Sequence, residues 1–149
     1  MKFKYPEYDQ FFRDFLCEEG EDLSKYASLF DLREPPSIKR RELTGRKYTQ
    51  AWEELEKRFG RRCQLQYVEG CEAESPVTID HVIPISSNVL NKHLRKSKPL
   101  VAGKKVPTES FGSNDISNLV LACAKCNSNK KHRFLDRDRM RRILKSKGF

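Results

Sequence analysis

Residues 116–131 read ISNLVLACAKCNSNKK. Four apolar residues, Leu119 to Ala122, run straight into Cys123-Ala-Lys-Cys126. The apolar run predicts a buried strand. A C-x-x-C turn brings two sulfurs to one point, where two thiolates can bind one tetrahedral zinc. The same spacing also serves thiol redox chemistry. The polar, lysine-bearing residues that follow predict a helix leaving the turn, beginning near Asn127, where a helix start favours phosphate.

A second β-like segment lies upstream in PVTIDHVIPI, residues 76–85, rich in β-branched residues and stopped by Pro84. It carries Asp80 beside His81. Charge in an apolar strand costs stability unless those side chains have partners that water cannot replace. Adjacent residues of a regular strand face opposite ways, so both can serve one site only if the strand ends or bends there. Further upstream stand Cys63 and Cys71, with seven residues between them where a tight knuckle has two to four. Two cysteine pairs flanking one β segment can close a four-cysteine zinc site. Such a site is structural, since no coordination position stays open. Five cysteines, an odd number, argue against a disulfide framework. Cys17 reads as an ordinary buried cysteine, and His93 as a poor ligand candidate.

The remainder reads as helical support. Tyr8, Phe12, Phe15 and Leu16 share one helical face, which Leu23, Tyr26, Ala27 and Phe30 continue past a break at Gly20. Residues 31–47, DLREPPSIKRRELTGRK, have the composition of a linker, with a basic cluster at Lys39, Arg40 and Arg41. A second helix is expected from Thr49, capped there and ended by Gly60, with Tyr48, Trp52, Leu55 and Phe59 on one stripe. Residues 86–115 form a long polar connection. A last basic helix is expected behind an Asp136 cap, with Met140, Ile143 and Leu144 buried. We divide the chain into a helical arm and linker, 1–47, and a main domain, 48–149.

Formal net charge is +9, unevenly spread. Residues 1–60 hold 12 basic and 13 acidic side chains, and residues 61–149 hold 18 and 8. The second half therefore has the charge to displace counterions from a polyanion. No apolar run is long enough to span a membrane, and the N-terminus lacks the apolar stretch of a signal peptide. A soluble, cytoplasmic or otherwise intracellular protein with no membrane partner is expected.

TIDHVIPIS followed by SNDISNLVLACAKCNSNKK resembles the HNH endonucleases, the ββα-metal nuclease fold with zinc knuckles. The shared pattern is a D-H with proline three residues on, an N-L before an apolar strand, then C-x-x-C-N-x-x-K. It covers about residues 63–133. The expected fold class is α+β: a small zinc-stabilised ββα-metal core with a helical N-terminal arm and a C-terminal helix.

The resemblance implies hydrolysis of DNA phosphodiesters, double-stranded DNA as partner, and a 5′ phosphate and 3′ hydroxyl as products. It assigns His81 as general base and Asp80 and Asn127 as ligands of one catalytic divalent ion, Mg²⁺ or Mn²⁺. It makes Asn118 the middle asparagine that braces the histidine loop. Cys63, Cys71, Cys123 and Cys126 become ligands of one structural zinc, and Lys130 a phosphate contact. The chemistry is consistent with that assignment: hydrolysis needs a water, a base and positive charge on the leaving oxygen. Lys131 and Arg133 extend the basic surface. An insertion around 88–110 adds Lys92, Arg95, Lys96, Lys98, Lys104 and Lys105 as an expected substrate loop. Two other readings use the same composition: a zinc-dependent nucleic-acid-binding module without catalysis, and a nuclease directed at RNA.

Overall fold

The computed structural model describes residues 1–87, Leu90 and 109–149. Lys92, His93, Arg95, Lys96, Lys98, Lys104 and Lys105 lie outside the described residues. Two short strands organise the rest: β1 (Thr78–His81) and β2 (Leu119–Ala122) pair antiparallel, with Asp80 opposite Val120 and His81 opposite Leu119. Both are shorter than the apolar runs that contain them. β1 stops three residues before Pro84, and Ile116–Asn118 is a single 3-10 turn.

β2 is buried on both faces, which explains its unbroken apolar sequence. Leu119 and Leu121 pack with Ile79 and Leu55, while Val120 and Ala122 join a larger core with Leu65, Val82 and Phe12. The alternation follows from the two-residue period of a strand. Each of the two leucines, fully buried, contributes on the order of 2 kcal/mol.

The helices cover this pair. α1 (Pro6–Leu16) begins with proline in its first turn and buries Tyr8, Phe12 and Leu16. Its aromatic face meets the second half of the chain: Phe12 lies 5.4 Å from Phe111 and 5.8 Å from Phe134, centroid to centroid. The expected arm therefore shares one core with residues 111–144. A 3-10 helix at Leu23–Leu29 continues it, burying Leu23, Tyr26 and Leu29 but leaving Ala27 exposed.

Within the expected linker, residues Ser37–Glu42 form α2. Pro35 and Pro36 precede its first turn, where their missing N–H groups break no helical bond. α3 (Gly45–Phe59) starts four residues before the expected cap, so Thr49 lies inside the helix and bonds back to the Gly45 carbonyl. Gly60, at φ +79°, ends it as expected.

α4 (Ala124–Lys130) leaves β2 at once. It starts three residues before Asn127, because Cys123 Sγ accepts the Cys126 N–H and takes the cap. α5 (Arg137–Ser146) is capped by Asp136, which accepts the Arg139 N–H, and buries Met140, Ile143 and Leu144. Among the described residues no helix is long and apolar enough to cross a membrane.

The loops beside β1 are joined backbone to backbone. Gly112 N–H donates to Pro84 O, Phe111 N–H to Ile85 O, Asp31 N–H to Phe111 O and Ser113 N–H to Leu29 O, all at 2.8–2.9 Å. Gly112 sits where these chains pass closest, and a β-carbon there would overlap the Ile83 carbonyl oxygen. We expect Gly112→Ala to destabilise the protein by about 3 kcal/mol, as backbone overpacking does. Urea unfolding checks this, and an unchanged midpoint would mean that the loops separate freely.

Candidate functional site

β1 ends at His81, and Asp80 and His81 reach one cavity beside that end. Both line a cavity of about 430 Å³ together with Asn127, Ser128, Lys131, His132 and Arg40. Asn127 reaches it from the second turn of α4. The pairing of β1 with β2, which runs directly into α4, is what joins residues 80–81 to residue 127.

Asn118 is fully buried and does not open on this cavity. Its Oδ1 accepts the Ile83 N–H at 2.8 Å, and its Nδ2 donates to Ile83 O at 3.1 Å and Ser113 O at 2.9 Å. Its backbone carbonyl takes the Val82 N–H. The residue thus holds the turn after His81, a bracing position with no access to substrate.

Lys130, expected to touch phosphate, cannot do so. Its side chain is wholly enclosed behind β1, where Nζ donates to His81 O at 2.8 Å and lies 3.0 Å from Asp80 Oδ2. The second contact is an ion pair without hydrogen-bond direction, so the buried Oδ2 has no hydrogen-bond partner. With Oδ2 turned inward, Oδ1 is the Asp80 oxygen left for a ligand in the cavity. Lys131 and His132 line the wall that Lys130 leaves, and Arg133 is exposed beyond them.

His81 is oriented by a residue the sequence did not single out. Asn114 Nδ2 donates to the Lys39 carbonyl at 2.7 Å, and its Oδ1 lies 2.9 Å from His81 Nε2. A carbonyl only accepts, so the amide group must face Lys39 and the amide oxygen must face the ring. Nε2 therefore carries the proton of the neutral imidazole, and Nδ1 keeps its lone pair. Burial pushes the His81 pKa below its ordinary value; the Asn114 bond and the Asp80 charge oppose this, and Lys130 and Lys39 reinforce it. The ring is thereby kept neutral and able to accept a proton at Nδ1. The signal in the sequence is the first asparagine of SNDISN, four residues before Asn118.

Where β2 runs into α4 the four expected cysteines come together. The sulfurs of Cys63, Cys71, Cys123 and Cys126 all lie within 4.8 Å of one another, and Cys71 and Cys123 are 3.9 Å apart. Zinc–sulfur bonds near 2.3 Å spread tetrahedral sulfurs about 3.8 Å apart, so the set fits zinc. The long Cys63–Cys71 spacing is taken up by a loop with positive φ at Gln66 and Gly70, closed by Cys71 N–H to Val68 O. Tyr67 N–H points at Cys126 Sγ from 3.3 Å. Backbone N–H donors suit thiolates. Burial alone would push the Cys123 thiol up, yet the N–H groups of Cys126 and Glu72 bring it down to about 7. Burial pushes the Cys71 and Cys126 thiols up. Cys17, partly buried, stands apart from the cluster.

These features, an antiparallel strand pair, a following helix and a four-cysteine cluster that could hold zinc, make up a small α+β fold. The family model of the HNH endonucleases matches residues 105–133. That is the family the motifs resemble, and the match spans Asn118, the C-x-x-C knuckle and Asn127. Asp80 and His81 lie outside it and reach it through the strand pairing, and Cys63 and Cys71 reach it through the cysteine cluster. Comparison with curated proteins and with solved structures returned no match.

Two expectations follow. Purified protein should carry about one zinc per chain by atomic emission, and Cys71→Ser should lose it with a lower melting temperature. A strong chelator that left the melting temperature unchanged would remove the structural role. For His81, ¹⁵N NMR should show the neutral ring protonated at Nε2, and Asn114→Ala should bring both tautomers into view. An identical spectrum in that variant would mean that Asn114 does not set the ring.

Proposed function

We propose that this protein is a metal-dependent endonuclease that hydrolyses DNA phosphodiester bonds. One observation carries the reading: Asp80, His81 and Asn127 open on a single cavity, with the basic nitrogen of His81 left free by the Asn114 contact. The match of the HNH family model to residues 105–133 supports the class of reaction.

In this reading His81 Nδ1 accepts the proton of the attacking water. Water oxygen bonds to phosphorus, and the bond from phosphorus to the 3′ oxygen breaks, leaving a 5′ phosphate and a 3′ hydroxyl. Asp80 Oδ1 and the amide oxygen of Asn127 would hold one divalent ion, a sparse hard-oxygen set that suits Mg²⁺ or Mn²⁺ with water completing the shell. When bound, that ion supplies charge stabilisation at the phosphate and leaving oxygen. Lys130, paired with Asp80 Oδ2 at 3.0 Å, aims the carboxylate, and Asn118 holds the turn behind His81. Lys131 and His132 face the phosphate from the wall of the cavity, and Arg133 adds positive charge beyond it. Cys63, Cys71, Cys123 and Cys126 would hold a zinc ion that ties the loop 63–71 to the start of α4.

Supercoiled plasmid incubated with purified protein and Mg²⁺ or Mn²⁺ should convert to relaxed or linear product, and EDTA should stop it. His81→Ala should slow the conversion by at least about 100-fold, the usual loss for a general base. Binding without cleavage in either metal, on duplex and single-stranded substrates alike, would replace the nuclease with a zinc-dependent binding module. Cleavage of RNA alone would move the substrate.

A further inference from the structure

The first 60 residues carry no motif of the nuclease family and a slightly acidic balance, yet α2 delivers a cation into the candidate site. The register of α2 is pinned by Lys39. That side chain is fully buried, with Nζ bonded to Asp31 O at 2.6 Å and Gly112 O at 2.7 Å, while the Lys39 carbonyl holds Asn114. With Lys39 turned inward, the next residue is rotated about 100° around the helix. It faces the cavity.

Arg40 is exposed and lines the cavity with Asp80, His81 and Asn127. Its Nη2 donates to Ser86 Oγ at 3.0 Å, a neutral partner that leaves the charge of the guanidinium unpaired. Among the described residues it forms no ion pair with a carboxylate. An arginine held beside a carboxylate–histidine site, with donors left over, is arranged for a phosphate.

The next residue, Arg41, turns to a neighbouring open groove of about 660 Å³, lined also by Arg46 and Lys47. The acid in that groove, Glu42, is taken by Arg33 through two hydrogen bonds of 2.8 Å. The groove is therefore left positive although the segment as a whole is not.

Resting on the nuclease reading, we propose that Arg40 contacts the phosphate being cut, and that the groove of Arg41, Arg46 and Lys47 carries the flanking phosphates of the substrate. The N-terminal segment is then part of the nucleic-acid interface. In chemical terms the groove reads backbone charge and no base sequence.

The test separates this contact from cleavage. Binding of a fluorescent DNA duplex is measured against salt in the His81→Ala protein, with and without Arg40→Ala. Arg40→Ala should flatten the plot of log affinity against log salt by about 0.9, one phosphate contact. Arg46→Ala with Lys47→Ala should flatten it further. Ser86→Ala should leave the slope alone, because the contact belongs to the guanidinium and not to the loop it touches. On the otherwise native chain, Arg40→Ala should lower kcat/KM by about 100-fold, the lower end of the loss expected for one donor at a reacting centre, with Arg40→Lys in between.

An unchanged slope and rate in Arg40→Ala would overturn the proposal while leaving a cleaving protein a nuclease. A Ser86→Ala protein that behaves like Arg40→Ala would also overturn it, since Arg40 would then act by bracing the loop. A flattened slope in a protein that never cleaves would support the Arg40 contact and remove the nuclease reading instead.

Discussion

The carboxamide of Asn118 does the work of a missing third strand. Two four-residue strands cannot by themselves hold the chain that follows β1, because the Ile83 N–H and C=O have no neighbouring ladder to join. Asn118 satisfies both, and Ser113 O as well, from a fully buried position. Leaving one such buried group unpaired costs about 1–3 kcal/mol. The bond pair fixes where the chain turns after His81, and that turn decides whether Asp80 and His81 share one cavity. Gly112 completes the same joint, since only a residue without a side chain lets residues 110–114 pass so close to Ile83.

Strands, knuckle and terminal helix were legible in the sequence because each rests on local chemistry. The apolar run 119–122, the C-x-x-C turn, the Asp136 cap and the Gly60 stop depend on few neighbours. The Cys63–Cys71 pair was legible as chemistry but not as geometry. Its loop needs positive φ at Gln66, which no propensity announces. The prolines of residues 31–47 read as breakers, although they stand ahead of α2, where they break nothing. The start of α4 was misplaced because Cys123 serves twice, as cap and as candidate metal ligand.

The site shows the limit of reading residue types without depth. Asp80, His81 and Asn127 were placed together by motif, and they line one cavity. Lys130 fits the same motif, yet its ammonium is enclosed. Asn114 stands inside the SNDISN stretch and Arg40 inside a basic cluster, but the sequence gives neither a role at the site. Their roles arise from contacts across more than 30 residues of sequence: Asn114 to His81, Asn114 to Lys39, Arg40 to Ser86. Such contacts leave no periodic trace, so a single sequence hides them.

The same point bears on the net charge of +9. Three lysines use their charge on backbone carbonyls inside the protein. Lys39 bonds Asp31 O and Gly112 O, Lys130 bonds His81 O, and Lys147 bonds Ile116 O and Leu119 O while lying 4.6 Å from the Phe59 ring. Burial brings the pKa of Lys39 and of Lys147 down to about 8, which is the cost of placing an ammonium where a strand or a helix cap would otherwise satisfy the carbonyls. A chain with so little sheet uses long cationic side chains as cross-braces for irregular backbone. Composition therefore overstates how much positive charge faces a polyanion in residues 61–149 and, through Arg40 and the paired Glu42, understates it in residues 1–60. Any surface for a polyanion would be drawn by which cations are left unpaired outside, and that is a property of the fold.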